Sequence, residues 1–282
     1  MQNDVYTYHT PKTLSCGIIV NSPHSGRSYP IEFIANSQLS LLHLRSSEDA
    51  FVDQLVGFAP EIGMPFLAAK KPRAFVDLNR HADELDPSMI EGLSSRHLNP
   101  RLASGLGVIP RVVGEGRVIQ SGKISKLVAK ARLARYYWPY HHKLEEILAA
   151  ARANFPQVLL LDFHSMPSAA VAHLDTSVDV VIGDRFGAAA RADISDMVEQ
   201  AFAGQGFHVL RNTPFAGAYI TRHYGLPRRG QNVIQVEINR ALYLDEDRVE
   251  KHGGFDGLRA RLMDALAELQ HAFAHPIPVA AE

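Results

Sequence analysis

Apolar residues along the chain fall into short runs, and Gly, Pro, Asn or Asp bounds each run. Runs of about four to eight apolar residues with such boundaries are typical of buried strands. The runs predict strands at residues 14–20, 64–69, 74–78, 158–161, 178–182, 207–210 and 233–238.

Between these runs, apolar residues recur at the spacing of a helix. The pattern predicts helices at residues 47–58, 124–137, 140–153, 187–203 and 247–274. Pro139 is expected to break or kink the helical pattern that surrounds it, because proline lacks an amide hydrogen. Strands that alternate with helices predict an α/β fold with three layers (αβα) around a mixed, mostly parallel sheet.

No internal repeat and no long Pro-, Gly- or Ser-rich linker divides the sequence, so we expect a single domain over residues 1–282. Residues 83–122 show no clear period and contain many loop-forming residues. A stretch of that length without regular structure is usually a functional lid or an insertion. We therefore predict a lid or an insertion at 83–122.

Charge and cysteine content exclude several classes of function. The chain has 29 Lys+Arg and 30 Asp+Glu, a balance that argues against a nucleic-acid partner and against binding to an anionic membrane surface. Cys16 is the single cysteine, which excludes an internal disulfide and a multi-cysteine metal site. No apolar run could cross a bilayer and the N-terminus lacks a secretory pattern, so we expect a cytoplasmic protein.

Two similar histidine clusters follow predicted strands. His24 lies in Asn-Ser-Pro-His-Ser-Gly (21–26), and His164 lies in Asp-Phe-His-Ser-Met-Pro (162–167). Ligands of open α/β sheets bind at the carboxyl ends of the strands, and catalytic zinc takes three protein ligands, often His and a carboxylate. The residues alone leave two readings open, a metal site or two histidines that each hydrogen-bond within a loop.

A carboxylate ligand could come from the start of the helix predicted at 47–58. Glu48, Asp49 and Asp53 are the candidates, and Asp49 and Asp53 are four apart, so they share one helix face. Ser46 and Asp49 also match a capping box, in which the acid serves the helix terminus. Spacing alone does not separate a helix cap from a metal ligand.

Glu237 stands inside the apolar run 233–238. Burying an unpaired carboxylate is costly, so this residue needs a partner or a function. One interpretation is an ion pair with Arg240 or Arg222. The other is a general base beside a metal-bound water, with its pKa raised by burial. The position near a strand end favours the general base.

Several polar residues are candidates for binding a substrate. Asn79 and Arg80 follow the strand predicted at 74–78, and a guanidinium can grip a carboxylate with two hydrogen bonds, although a surface salt bridge is the alternative. Gly217 lies in a polar loop, where it would let a substrate approach the backbone. Arg111, on the predicted lid, and Arg222 are candidates to stabilise an oxyanion.

The ordered set of these motifs resembles the N-formylglutamate amidohydrolase family. The matching segments are 23–26, 48–53, 77–80, 107–111, 162–166, 217–225 and 235–240. The resemblance implies a fold related to zinc carboxypeptidases. It also implies hydrolysis of N-formyl-L-glutamate to formate and L-glutamate, a late step of histidine degradation in some bacteria.

The resemblance also implies roles for individual residues. His24, Asp49 and His164 would hold one divalent metal, with Zn²⁺ the first choice, and Glu237 would be the base. Arg80 would hold a substrate carboxylate. We add Asn79, Gly217 and Arg240 as substrate-binding candidates. In zinc carboxypeptidases a His-x-x-Glu turn supplies two ligands; here position 27 is Arg, so the acid ligand must come from the 48–53 segment.

Two other functions remain compatible with the residues. A two-metal phosphoesterase could use Asp49, Asp53, Asp77 and Asp162 with the histidines, and counting bound metal ions would distinguish it. A non-catalytic protein could bind an acidic metabolite, with Glu237 merely salt-bridged. Neutralising Glu237 would then change folding or binding rather than turnover.

Overall fold

A mixed sheet of seven strands forms the centre of the molecule. The computed structural model describes residues 3–93, 100–174 and 177–274. The strands are β1 Tyr6–His9, β2 Ile18–Ser22, β3 Phe66–Ala69, β4 Val112–Val113, β5 Arg117–Val118, β6 Val158–Met166, β7 Val180–Gly183, β8 Val209–Arg211, β9 Gln231–Asn239, β10 Leu244–Asp245 and β11 Glu250–Lys251. The helices are α1 Ile31–Ala35, α2 Leu41–Arg45, α3 Val52–Leu55, α4 Pro100–Ala103, α5 Lys126–Arg132, α6 Trp138–Asn154, α7 Ala192–Gly204, α8 Tyr219–Tyr224 and α9 Phe255–Ala272.

The strand order of the central sheet is β1-β3-β2-β6-β9-β7-β8. Strands β3, β2, β6 and β9 are mutually parallel, and β7 and β8 are parallel to each other. The pairs β1–β3 and β7–β9 are antiparallel. The predicted mixed, mostly parallel sheet is therefore confirmed.

Side chains alternate between two hydrophobic cores, one on each face of the sheet. On β6, Leu159, Leu161 and Phe163 pack with residues of α7 and α9, whereas Val158 and Leu160 pack with residues of α5 and α6. Helices thus cover both faces, which confirms the three-layer αβα prediction.

Strand β6 extends beyond the predicted 158–161, and every residue of Val158–Met166 is buried. The apolar pattern stops at Leu161, but Phe163 still packs into the core while Asp162 and His164 take the opposite face. His164 was expected after the end of the strand; it lies inside it. β9 is likewise longer than the predicted 233–238.

Two predicted elements differ from the structure. Residues 74–78 form turns rather than a strand, with the amides of Phe75 and Val76 both bonded to the carbonyl of Pro72. The helix predicted at 47–58 is reduced to Val52–Leu55, because Phe51 has a φ of 62° and interrupts the helical path. The edge strand β1 was not predicted, since Tyr6–His9 is short and only partly buried.

Of the two effects predicted for Pro139, a break or a kink, the break does not occur. A π-helical turn, Leu133–Tyr137, joins α5 to α6, and Pro139 stands in the first turn of α6. The wider π turn accommodates the amide nitrogen that cannot donate. The other two predicted helices, 187–203 and 247–274, correspond to α7 and α9, which begin later than predicted.

The segment 83–122 contains α4 and the two-stranded hairpin β4–β5. Residues 94–99 of this segment lie outside the described residues. Its role as a lid or insertion, like the single domain over 1–282, stays a prediction. Within the described ranges, no helix has the length and apolar character needed to cross a membrane.

Candidate metal centre

Strand register places the chemical groups side by side. In the parallel pair β6–β9, His164 is opposite Glu237 and Asp162 is opposite Gln235. In β2–β6, Asn21 is opposite Asp162. Because alternate residues share a face, these polar side chains all project from the same face of the sheet.

His24, Asp49 and His164 converge on one point. Each offers a ligand atom within 4.8 Å of the others, and all three are buried. Asp49 Oδ2 lies 2.9 Å from His164 Nδ1 and 3.4 Å from His24 Nδ1. Each ligand comes from a different segment: the loop after β2, the turn before α3, and β6.

The remaining ring nitrogen of each histidine faces a carboxylate. His24 Nε2 lies 2.7 Å from Asp77 Oδ1, and His164 Nε2 lies 3.0 Å from Asp162 Oδ2. Such carboxylate–histidine pairs orient metal-ligating imidazoles and fix the proton on the outer nitrogen. The Nδ1 lone pairs are then directed at the cluster.

One buried atom of the cluster shows that the residues fit a metal. His24 Nδ1 is buried and has no hydrogen-bond partner among the described residues. A buried polar atom without a partner is costly unless a ligand satisfies it. Two imidazole nitrogens and a carboxylate oxygen form the donor set of a catalytic zinc site that leaves a position open for water.

Asp49 is held as a carboxylate. Burial alone would raise its pKa, but the interactions with His164 and His24 keep that pKa well below the ordinary range. Its second oxygen accepts a hydrogen bond from Arg240 Nη2 at 3.2 Å. Arg240, predicted to bind substrate, thus also fixes the position of this ligand.

The other two acid candidates lie elsewhere. Glu48 accepts hydrogen bonds from Tyr29 and Arg45, and Asp53 is paired with Arg27 at 3.0 Å. Asp49 is therefore the acid that the structure brings to the two histidines. Its side chain does not cap a helix, because it is engaged by the cluster.

Glu237 is a buried carboxylate beside this cluster, with 8% of its surface exposed. Oε1 accepts a hydrogen bond of 2.7 Å from the amide of Gln235, and no arginine lies within ion-pair distance among the described residues. Burial raises the pKa of Glu237, and the nearby charge of His164 only partly opposes this shift. The ion pair with Arg240 or Arg222, the alternative to a base, is therefore not formed.

A cavity of about 600 Å³ opens onto His24, His164 and Glu237. That volume suits a small-molecule ligand. The arginines that line it are Arg73, Arg80, Arg101 and Arg240. A small site with this many guanidinium groups favours an anionic ligand.

Asn79 and Arg80, the predicted substrate-binding residues, line the cavity. The Asn79 amide nitrogen is 3.3 Å from His164 Nε2, and its oxygen accepts a 2.7 Å hydrogen bond from the Ile220 amide. Tyr137 donates to the Arg80 carbonyl at 2.8 Å. These bonds tie the loop to the π-helical turn Leu133–Tyr137 and to α8, which positions both side chains.

Gly217 also lines the cavity, with a φ of 102° that favours glycine. A Cβ at this position would lie 2.9 Å from the side chain of Thr221. The contact that demands glycine is therefore with α8, whereas the sequence suggested an approach by the substrate.

Arg111 and Arg222 are not brought to the site within the described part of the chain. Arg111 is bound to Asp86 at 3.0 Å and to the Ala103 carbonyl. Arg222 is an exposed residue of α8. Neither lines the cavity.

Arg73, Asp77 and Arg101 also line the cavity, although no sequence motif predicts Arg73 or Arg101, and the only role predicted for Asp77 is that of a ligand in a two-metal phosphoesterase. Arg73 Nη2 binds Asp77 Oδ2 at 3.0 Å. A strand at 74–78 would have placed Arg73 at the end remote from the site; the turn found there brings it to the same side as Asp77. The i, i+4 spacing of opposite charges was the signal available.

Only one cluster of three potential ligands occurs among the described residues. Asp77 and Asp162 are occupied by the histidines, and Asp53 lies outside the cluster. The second metal of a phosphoesterase has no ligand set in this part of the chain.

Comparison with known proteins agrees with this description. Residues 16–244 match the family model for N-formylglutamate amidohydrolase. N-formylglutamate deformylase of Pseudomonas aeruginosa is 31% identical over 202 residues, covering 70% of this chain and 71% of the relative. The Pseudomonas putida enzyme of that name is 26% identical over 233 residues, covering 81% and 82%.

Among solved structures, N-formylglutamate amidohydrolase from Ralstonia eutropha JMP134 has a TM-score of 0.88 and 32% identity. The match covers 96% of this chain and 98% of that one. Fold, site and relatives together define a hydrolase that acts on amide C–N bonds. The chain belongs to the N-formylglutamate amidohydrolase family.

Proposed function

We propose that the protein hydrolyses the formyl amide of N-formyl-L-glutamate, or of a similar N-acyl amino acid, with Zn²⁺ at the His24–Asp49–His164 cluster. The observation that carries this proposal is the unpartnered Nδ1 of His24 in a three-ligand cluster, next to the buried Glu237. The relatives named for N-formylglutamate support the substrate.

When bound, the metal would supply Lewis acidity to the formyl oxygen and lower the pKa of a water molecule. Glu237 accepts the proton of that water at its carboxylate and delivers it to the amide nitrogen as the C–N bond breaks. Burial raises the pKa of Glu237, which makes it a better base and, once protonated, the acid that serves the leaving nitrogen. Formate and L-glutamate are the products.

Arg80 binds a carboxylate of the substrate, with Asn79 holding the loop in place. Arg73 takes the oxyanion role that the sequence analysis gave to Arg111 or Arg222, because it lines the cavity beside His24. Its pairing with Asp77 at 3.0 Å holds its guanidinium in position before substrate arrives. A preorganised charge of this kind stabilises the negative charge that develops on the formyl oxygen.

The experiment is metal analysis of the purified protein combined with a hydrolysis screen of N-formyl and N-acetyl amino acids. We expect one zinc per chain and highest kcat/KM on N-formyl-L-glutamate. Exhaustive chelation should abolish hydrolysis, and added Zn²⁺ should restore it. Full activity after chelation, or two metals per chain, would contradict the proposal.

A further inference from the structure

Two arginines of the cavity are linked by hydrogen bonds to the same residue, Leu106. Arg80 Nε donates to the carbonyl of Leu106 at 3.1 Å, and the amide of Leu106 donates to the carbonyl of Arg101 at 2.9 Å. Both arginines and Leu106 line the cavity. The wall that carries Arg80 therefore continues into the segment that carries Arg101.

These two arginines differ from the other two because neither forms an ion pair with a carboxylate of the described residues. Arg73 pairs with Asp77 at 3.0 Å and Arg240 pairs with Asp49 at 3.2 Å. Within the described ranges, Arg80 and Arg101 form no ion pair. Arg80 uses Nε and Nη1 on backbone carbonyls, so its Nη2 keeps its hydrogens for a ligand.

Two guanidinium groups on one wall, neither of them in an ion pair with a described residue, repel each other. Burial lowers the pKa of Arg80, and the charges of Arg73 and Arg101 act in the same direction, whereas the charges of Asp77 and Glu84 oppose them. A ligand with one carboxylate would neutralise only one of the two groups. A dicarboxylate would neutralise both, each through a charged hydrogen bond.

We propose that Arg101 is the specificity-determining residue that binds the side-chain carboxylate of an N-acyl dicarboxylic amino acid, while Arg80 binds its α-carboxylate. This assignment rests on the proposed function. Arg80 adjoins Asn79, which contacts His164 of the metal cluster. The α-carboxylate is the one closer to the reacting amide, so it falls to Arg80, and the more distant carboxylate reaches Arg101.

The test compares three substrates that differ only in charge: N-formyl-L-glutamate, N-formyl-L-glutamine and N-formyl-L-isoglutamine. The glutamine compound lacks the side-chain charge, and the isoglutamine compound lacks the α-carboxylate charge. The variants are Arg101→Gln, Arg101→Lys and, as a control, Arg152→Gln, an exposed residue of α6.

We expect Arg101→Gln to lower kcat/KM for N-formyl-L-glutamate by about 10- to 100-fold, mainly through KM. Its kcat/KM for the glutamine compound should stay within about twofold of wild type, so discrimination between the two is lost. Arg101→Lys should recover part of that discrimination, because the positive charge is retained. Arg152→Gln should behave like wild type.

An equal loss on all three substrates, or an unchanged ratio of glutamate to glutamine, would overturn the role of Arg101. If Arg101→Gln instead lost the preference for N-formyl-L-glutamate over the isoglutamine compound, Arg101 would bind the α-carboxylate and Arg80 the side-chain carboxylate. That result would reverse the assignment of the two arginines. If metal-loaded wild type hydrolyses none of the three, the proposed function fails and this inference fails with it. Hydrolysis of all three with no preference for glutamate would overturn the inference alone.

Discussion

Glu237 could be predicted from sequence because it is charged within an apolar run, and His24 and His164 because they lie in two similar clusters that follow apolar runs. A buried carboxylate inside a hydrophobic strand needs a reason, and chemistry is one such reason. Arg101 carries no such contrast, and Asp77, although it is charged within the apolar run 74–78, has no partner that the sequence shows. Their importance depends on partners distant in the sequence, His24 and the wall of the cavity, which no local pattern shows.

At Glu237, replacement by Gln separates chemistry from structure. Glu237→Gln keeps the size of the side chain but cannot accept a proton from water, so kcat should fall by about 10²–10⁴-fold. Zinc content and KM should change little. Initial rates of hydrolysis at several substrate concentrations would give kcat and KM, and metal analysis of the same sample would give the zinc content.

The control for that change is Glu48→Gln, which also removes a buried carboxylate but one paired with Tyr29 and Arg45. It should retain zinc and most of kcat. Loss of zinc in Glu237→Gln would make Glu237 a ligand, and near-normal turnover in a folded, zinc-loaded variant would rule it out as the base.

Asp77 should set zinc affinity through His24. Asp77→Asn weakens the charged hydrogen bond to His24 Nε2, so zinc affinity should fall by about 10- to 100-fold. Competition with a chromogenic chelator measures the affinity. Asp83→Asn, whose side chain is exposed, is the control. Equal affinities for wild type and Asp77→Asn would show that Asp77 does not support the metal.

At the scale of elements, the apolar pattern of the sequence predicts most strands of the sheet but not the residues at which β6 and β9 end. Both strands continue through polar residues because only one face of each needs to remain apolar. The helix predicted at 47–58 is reduced to Val52–Leu55 for a related reason. The chain before α3 bends to bring Asp49 to the histidines, and this requirement overrides local helical preference.

The loop between β7 and α7 gives a prediction about stability. Asp184 is buried and accepts hydrogen bonds from Ser195 Oγ at 2.7 Å, Asn212 Nδ2 at 2.7 Å and the Gly187 amide at 3.0 Å. Burial would raise its pKa, but these donors lower it below the ordinary value. Asp184→Asn should therefore reduce the free energy of unfolding by about 1–3 kcal/mol at neutral pH.

The effect of Asp184→Asn on the free energy of unfolding should depend on pH, in a direction that follows from the lowered pKa of Asp184. A carboxyl whose folded pKa is depressed stabilises the protein above its unfolded pKa, and this contribution is lost as pH falls through the folded pKa. The difference between Asp184→Asn and wild type should thus shrink as pH drops below about 4. Urea unfolding at several pH values measures it. Asp193→Asn, an exposed control, should change little, and a difference independent of pH would contradict the role of the Asp184 charge.

At the scale of the whole molecule, the three-layer architecture followed from the alternation of strands and helices. The metal cluster joins three segments of this architecture, so a bound ion stabilises the folded chain and not the unfolded one. Free Zn²⁺ at about a hundred times Kd should add about 2.7 kcal/mol to the free energy of unfolding.

Thermal unfolding with and without a chelator checks this expectation. Chelation should lower the Tm of wild type, whereas His164→Ala should show nearly the same Tm in both conditions. The exposed His43→Ala should respond to chelation like wild type. If His164→Ala were stabilised by zinc as strongly as wild type, the ion would lie elsewhere.

The position of β6 between β2 and β9 also determines when the site can form as the ribosome makes the chain. His24 and Asp49 emerge early, but the third ligand arrives only with β6, and Glu237 arrives later still with β9. Until β9 is added, β6 has an open edge in the middle of the sheet, where its polar residues lack their neighbours. We therefore expect the nascent chain to leave the ribosome without its ion, and the nearly complete fold to acquire zinc from the cellular pool.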